Sequence, residues 1–376
     1  MASAKPTLLY RFYVALAGAI APFAFRKVAK KLRAHDVPEA RIRERIGYAT
    51  VARPMGQLVW FHAASVGESL SVLALINAMI RIDPKLNVLI TSGTATSAKI
   101  LADRMPTNCH HQFAPLDSAS ALTRFLDHWE PDLAIFVESE LWPQMLVLTK
   151  RRGIPLALLN ARLSATSRRN WHRFKATAQY LLSQFSLVVA QTPETLKTLL
   201  ALGANPTTTR IGDDLKAAAG ALPYDKHTHT NLRSQIGERP IWVASSTHDG
   251  EDEIVLSAHQ TALETLPDLL LVLVPRHPGR RYDIQTLLNA KSLNTALRSA
   301  SEPITARTQV YLADTLGETG LWYALAPLVF VGGSLVPVGG HNPYEPAHAG
   351  AAVLHGPEVT NFVSAYQKLT DTGGCV

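Results

Sequence analysis

The chain has 376 residues, of which 47% are hydrophobic and 18% charged, enough apolar material for two ordinary domain cores and too much length for one compact unit. Its two cysteines, Cys109 and Cys375, stand far apart and outside any CxxC or Cys/His spacing, which argues against a disulfide framework or a zinc site and for a reducing compartment. The formal charge of +7 is concentrated at the start: residues 1–53 hold 11 Lys and Arg against 3 Asp and Glu, and the remainder balances at −1, so the composition gives general nucleic-acid binding no support.

The stretch TLLYRFYVALAGAIAPFAFRKVAKKLR begins at Thr7. Phe12 to Phe25 is uncharged, but its 14 residues fall short of the ~20 that span a bilayer unless Arg11 snorkels and Thr7 to Leu9 contribute. The segment is expected to attach to a membrane, with spanning left open. Ala17-Gly18-Ala19 would suit a signal-peptide cleavage site, yet almost no basic residues precede it. Arg26, Lys27, Lys30, Lys31 and Arg33 follow directly, and such positive flanks stay in the cytoplasm, so the body is expected on the inner leaflet. The competing reading is a first helix buried in a soluble fold.

Beyond residue 55 short apolar runs alternate with longer mixed segments. Strands are predicted at Gln57 to His62, Asn87 to Ser92, Asp132 to Glu138, Ile154 to Asn160 and Leu187 to Gln191. Helical spacing marks Ser69 to Ile82, Ser118 to Trp129 and Leu141 to Arg152. The series reads as βαβ units around a parallel sheet covered on both faces. The rhythm breaks between Gly203 and Arg239, where proline, threonine and charge mix without a period. Five further strands are predicted at Pro240 to Ser246, Leu269 to Pro275, Thr308 to Leu312, Leu328 to Gly332 and Ala352 to Leu354. The expected architecture is α/β: a membrane-associated helix and basic segment (1–53), a Rossmann-type domain (54–205), a linker (206–239) and a second doubly wound domain (240–376) facing the first across a cleft.

Doubly wound sheets bind ligands beyond the C-terminal ends of their strands, and the unusual residues of this chain fall there. Glu68 follows the first strand, SGTATSA the second, ESELWP the third and NARLS the fourth; in the second half stand SSTHDGE, PRHPGR, DTLGE and GGSLVPVGGHNPYEP. Ser65-Val-Gly-Glu68 has the spacing of a helix capping box, which does no chemistry. Thr315-Leu-Gly-Glu318 and Asn342-Pro-Tyr-Glu345 carry the same alternative. The glycines from Gly332 to Gly340 would let backbone approach a ligand, Asn342 and Pro343 would open a helix whose end attracts a phosphate, Glu345 could accept from ribose hydroxyls, and Arg276 could face a phosphate. No GxxxxGK[ST], no GxGxxG after the first strand and no GxSxG elbow occurs. His227 and His229 sit in a polar linker, and the acids of His248-Asp-Gly-Glu251-Asp-Glu253 suit a first helical turn. No metal is expected.

These ordered motifs, SVGE, ESELWP, NARLS, SSTHDGE, VPRHP, DTLGE and GGSLVPVGGHNPYEPA, resemble those of the 3-deoxy-D-manno-octulosonic acid (Kdo) transferases that build the lipopolysaccharide inner core, from the N-terminal segment to the end of the chain. The resemblance implies a GT-B fold, inverting transfer of Kdo from CMP-Kdo to a lipid A precursor, no divalent metal, and a place on the cytoplasmic face of the cell inner membrane. It implies Glu68 as the general base on the acceptor hydroxyl, and Glu138 and Lys216 as transition-state stabilisers. It also implies CMP contacts at Pro275, Arg276, Leu316, Gly317, Glu318, Asn342, Pro343, Tyr344 and Glu345.

Two departures stand out. Where the family commonly reads G-S-L-K or G-N-L-K, this chain has Gly212-Asp-Asp-Leu-Lys216, and it stops at Val376 where the family usually adds a helical segment returning to the first domain; poor closure is the expected consequence. Two alternatives stay open: a GT-B enzyme using a uridine nucleotide sugar, and a non-catalytic lipid-A-binding homologue.

Overall fold

The computed structural model describes residues 5–218 and 220–376; the first four residues of the basic segment and Ala219 of the predicted linker lie outside the described residues. The chain divides into two compact units, Met1–Ala219 and Gly220–Val376.

The first unit is built on seven strands: β1 (Leu58–His62), β2 (Asn87–Ser92), β3 (Cys109–Phe113), β4 (Leu133–Val137), β5 (Leu156–Ala161), β6 (Leu187–Ala190) and β7 (Thr209–Ile211). All neighbours pair parallel, in the order β3-β2-β1-β4-β5-β6-β7. Side chains alternate between the faces of a strand, and each face here has its own core. Leu58, Trp60, Leu89, Phe136, Leu156 and Leu158 pack on one side, and Val59, Phe61, Val88, Ile90, Ile135 and Val137 on the other. That double burial is why β1 reads as an unbroken apolar run, with all five residues buried.

The N-terminal segment forms one 26-residue helix, α1 (Leu8–Arg33), capped by the Thr7 side chain and ending on Lys30, Lys31 and Arg33. It is long and apolar enough to cross a membrane, yet both its ends are packed within the first unit. Tyr10 is in the core and meets the Tyr180 ring edge-on at 5.1 Å, and the Tyr13 hydroxyl donates to Asp117 at 2.7 Å. At the far end Ala29 and Leu32 share a small core with Ile42, Ala98 and Phe113. Tyr10 and Leu32 are about 33 Å apart along a helix rising 1.5 Å per residue. Leu8, Phe12, Leu16, Ile20 and Phe23 are exposed between and around these contacts.

The second unit has β8 (Ile241–Thr247), β9 (Leu270–Pro275), β10 (Thr295–Leu297), β11 (Val310–Leu312), β12 (Leu328–Val331) and β13 (Ala352–Leu354), all parallel, in the order β10-β11-β9-β8-β12-β13. Val243, Val272, Tyr311 and Val329 face one core, and Ala244, Leu271, Leu273 and Phe330 the other. The last residues lie along β13, with Val353 donating to the Gly374 carbonyl and Val376 to that of Val353.

The segment expected as a linker is largely structured. β7 closes the edge of the first sheet, and the 3-10 turn Leu215–Ala218 packs on the helix Val66–Ile82. Asp225 caps the helix Lys226–Ile236, whose Leu232 and Ile236 enter the core of the second unit. Both flanks of the division at 219/220 are thus built into the units they adjoin. Ile236→Ala should therefore lower stability by about 2–5 kcal/mol, as for a core truncation. A denaturant curve shifted by less than ~0.5 kcal/mol would mark a surface position and return the segment to a linker.

Candidate functional site

In the first unit the strand order reverses between β1 and β4, which opens a crevice at their C-terminal ends. β1 runs into Ala63 and Ala64, and Ser65 caps the helix Val66–Ile82 by accepting from the Glu68 N–H at 3.3 Å. The Glu68 carboxylate accepts from the Ala64 N–H at 2.8 Å and from the Ser65 hydroxyl at 2.9 Å. The capping geometry is therefore present, but displaced: the carboxylate takes the N–H of the residue before the cap. Burial raises the Glu68 carboxyl above its usual range, and the charges of Glu140 and Glu138 add to that against the Ser65 and Ala64 hydrogen bonds. Glu68 makes no ion pair shorter than 4 Å among the described residues.

β4 ends one residue before Glu138, whose φ of +57° puts it in the left-handed region, a strained setting for a residue with a side chain. Its carboxylate meets Lys216 Nζ at 2.8 Å, both side chains being mostly buried. Lys216 reaches it from the 3-10 turn after β7, where Asp214 accepts from the Lys216 N–H at 3.0 Å and Asn160 of the NARLS motif accepts from the Leu215 N–H at 3.4 Å. The added acid in Gly212-Asp-Asp-Leu-Lys216 thus shapes the turn and leaves the lysine on Glu138.

Two further residues stand in this crevice that motif reading did not single out. His62, at the end of β1 and 2% exposed, meets Glu140 at 3.2 Å through Nε2 and Thr91 at 2.9 Å through Nδ1. Burial would raise the Glu140 carboxyl, but the His62 hydrogen bond and charge and the Trp142 indole N–H bring it below the usual range. The signal was the histidine closing an otherwise apolar strand opposite the second acid of ESELWP.

In the second unit the order reverses between β8 and β12. The expected residues lie at or beyond the C-terminal ends of β9, β11 and β12: buried Pro275 closes β9 and exposed Arg276 follows it, its N–H donating to the Thr247 carbonyl at 3.0 Å, then Leu316 to Glu318, then Asn342 to Glu345. Glu318 accepts from Nε and Nη2 of Arg298 and from the Thr315 hydroxyl, which outweigh burial and hold its carboxyl below the usual range. Leu316 is exposed, and Gly317 takes a φ of +86°. The helix expected to open at Asn342 and Pro343 begins later, as the five-residue Tyr344–His348. Asn342 accepts from the Tyr344 N–H at 3.2 Å and donates to Glu345 at 3.3 Å, so its amide shapes a turn ahead of the helix.

The residue that organises this crevice is Glu251, fully buried. One carboxylate oxygen accepts from the N–H groups of His248 and Gly333 at 2.9 and 2.7 Å, the other from Ser334 and Leu335 at 3.0 and 2.9 Å. It joins the loop after β8 to the loop after β12. Gly332 admits this approach, since a Cβ there would sit 2.6 Å from the Ser246 carbonyl oxygen. Among the described residues no group of three or more His, Cys, Asp or Glu is gathered as metal ligands are.

The family 3-Deoxy-D-manno-octulosonic-acid transferase (kdotransferase) matches residues 40–219. A 3-deoxy-D-manno-octulosonic acid transferase of Haemophilus influenzae is 36% identical over 343 residues, 89% of this chain and 79% of that protein. One of Rickettsia bellii is 32% identical over 352 residues, 94% of this chain and 83% of that protein. The chain belongs to the Kdo transferase family. It is a glycosyltransferase that transfers Kdo in lipopolysaccharide synthesis. A solved UDP-GlcNAc 2-epimerase of Neisseria meningitidis, 14% identical over 84% of this chain and 92% of its own with a TM-score of 0.56, shares the GT-B-like fold.

Glu251→Ala in this transferase strands four backbone N–H groups, and at ~1–3 kcal/mol for each buried one left unpaired the loss should be at least about 4 kcal/mol. An unaltered thermal melt would show that these N–H groups find other partners.

Proposed function

We propose that this Kdo transferase takes Kdo from CMP-Kdo and adds it to a lipid A precursor, with Glu68 as general base. The observation that carries the assignment is the Glu68 carboxylate itself: set at the switch point of the first sheet, outside any ion pair among the described residues, and raised towards the range in which a carboxylate is an effective base. The acceptor hydroxyl gives its proton to Glu68 as its oxygen bonds to the anomeric carbon of Kdo from the face opposite CMP. The bond from that carbon to the phosphate oxygen breaks, and CMP leaves with the electron pair. Glu138 holds Lys216, whose positive charge offsets charge developing in the transition state. The loops carrying Pro275, Arg276, Leu316 to Glu318 and Asn342 to Glu345 contact CMP in this reading. Glu318 does so largely through its backbone, because its carboxylate is engaged by Arg298. No divalent metal takes part in this scheme.

Attachment to the cytoplasmic face of the inner membrane belongs to the same proposal. α1 is held on the first unit at both ends and bares one stripe, Leu8, Phe12, Leu16, Ile20 and Phe23, the spacing of one helix face. That supports a helix lying in the interface plane, with Lys27, Lys30 and Lys31 near anionic headgroups, over one crossing the bilayer. Family membership sets aside the uridine-nucleotide alternative, and turnover itself tests the non-catalytic one.

Glu68→Gln should cut kcat by at least the ~10²-fold typical of general-base loss, with the melt little changed; near-normal turnover would leave Glu68 as a cap alone. Because a base works deprotonated and this carboxyl is raised, activity should fall on acidification at a pH above the ~4.3 of an ordinary glutamate. An acid limb at or below that value contradicts the assignment. Phe12→Glu with Phe23→Glu should reduce vesicle binding about tenfold or more while transfer to detergent-dispersed acceptor persists. Undiminished sedimentation with vesicles would place attachment elsewhere.

A further inference from the structure

The crevice between β8 and β12 holds a pair of histidines for which the scheme above has no use. His248, from the loop after β8, and His341, from the loop after β12, bring their Nε2 atoms to 2.8 Å. Their planes lie within 9° and their centroids 5.1 Å apart. Rings in face contact would not place two nitrogens so close at that centroid separation; the imidazoles meet edge to edge in a shared plane, through one N–H···N hydrogen bond. Such a bond holds a single proton, one nitrogen donating and the other accepting.

The surroundings select this state. His277, after β9, has its ring centroid 6.1 Å from that of His248, and Arg276 and Arg280 come from the same segment. On the acidic side Glu251 is saturated by its four backbone N–H groups, and Asp249 and Asp252 are both bonded to Arg280. From the C-terminal helix the Tyr366 hydroxyl donates to the His341 carbonyl at 3.0 Å. Burial first, then the charges of His248 and Arg276, push the His341 imidazole down to about 4, and burial lowers His248 as well. Gly333 keeps the room they need, since a Cβ there would lie 3.1 and 3.2 Å from the His341 ring. The pair is thus a neutral, preformed couple among cations, at the place where a doubly wound sheet receives a nucleotide phosphate.

We propose that His248 and His341 form a proton-linked hook for the phosphate of the nucleotide donor: the entering anion draws one proton from solvent onto the pair, the N–H···N bond opens, and each Nε2–H donates to a phosphate oxygen. No covalent bond changes, and the proton returns to solvent when CMP leaves. The proposal rests on the CMP-sugar reading of the second unit. Its sign is definite: binding lifts the protonation range of the pair above that of the free protein, so affinity owed to the pair is present below the bound range and lost as pH rises through it. CMP's own phosphate, with a second pKa near 6, gains charge over the same range and would by itself strengthen binding as pH rises.

The test is calorimetry of CMP binding to the full chain in detergent, at pH 6.5 in two buffers of different ionisation enthalpy, then from pH 6 to 8. His341→Asn and His248→Asn are compared with the parent, cytidine serves as the ligand without phosphate, and melting curves verify folding. The parent should take up at least ~0.5 proton more per CMP than either variant, and its affinity should fall with pH relative to theirs by threefold or more. Cytidine should bind without proton uptake. Equal proton counts in parent and folded variants, with CMP bound normally, overturn the hook while leaving the donor assignment intact. If the parent binds UDP and not CMP, the donor assignment itself fails. Should one variant not fold, the other, together with the parent's proton count, decides.

Discussion

Burying both faces of a parallel sheet is the constraint from which the rest follows. Every crossover must return over a face as a helix, so the rims are the only places where side chains and backbone N–H groups remain free to meet a ligand. Within each rim the strand order reverses once, between β1 and β4 in the first unit and between β8 and β12 in the second. Glu68, Glu138 and Lys216 gather at one reversal, and Glu251, His248 and His341 at the other. The chemistry assigned to this Kdo transferase is therefore placed by topology before any one residue is considered.

Capping and function are not exclusive at these rims. Glu68 accepts a backbone N–H and a serine hydroxyl, which fixes its rotamer and aim, and the same burial that makes those bonds firm raises its proton affinity. Glu251 represents the opposite balance: four backbone donors saturate it and leave it a structural clamp. A capping-box spacing alone cannot separate the two. What differs between them is the number of N–H groups that converge on the carboxylate, one for Glu68 and four for Glu251, and that number comes from the fold.

What was legible in the sequence divides along the same physical line. Central strands such as Leu270–Pro275 carry continuous apolar runs because both faces are covered, and they stood out. β3, β7 and β10 went unread, and all three are edge strands: β3 is Cys-His-His-Gln-Phe, and β7 and β10 have three residues each. Edges need less apolar surface and tolerate polar residues. The helix Lys226–Ile236 was hidden by its threonines and histidines, and only Leu232 and Ile236 are buried. At the site, Glu68, Glu138 and Lys216 came singly from the family resemblance, and the ion pair between the last two came from the fold. The His62–Glu140 bond, the bonds of Glu251 to Gly333, Ser334 and Leu335, and the His248–His341 couple join residues 78 or more apart in the chain, and no spacing rule encodes such a meeting. The role of α1 was split in the same way: its apolar run was plain, whereas its exposed stripe and its attachment through Tyr10, Tyr13 and Leu32 needed the folded structure.

The central claim, a CMP-Kdo-dependent transfer onto a lipid acceptor, is tested most directly by incubating the purified chain with CMP-Kdo and a tetraacylated lipid A precursor and weighing the products. The account predicts acceptor masses raised by whole Kdo units, with CMP released in equal number. An acceptor of unchanged mass, in a preparation that folds and turns over a uridine nucleotide sugar instead, would contradict it.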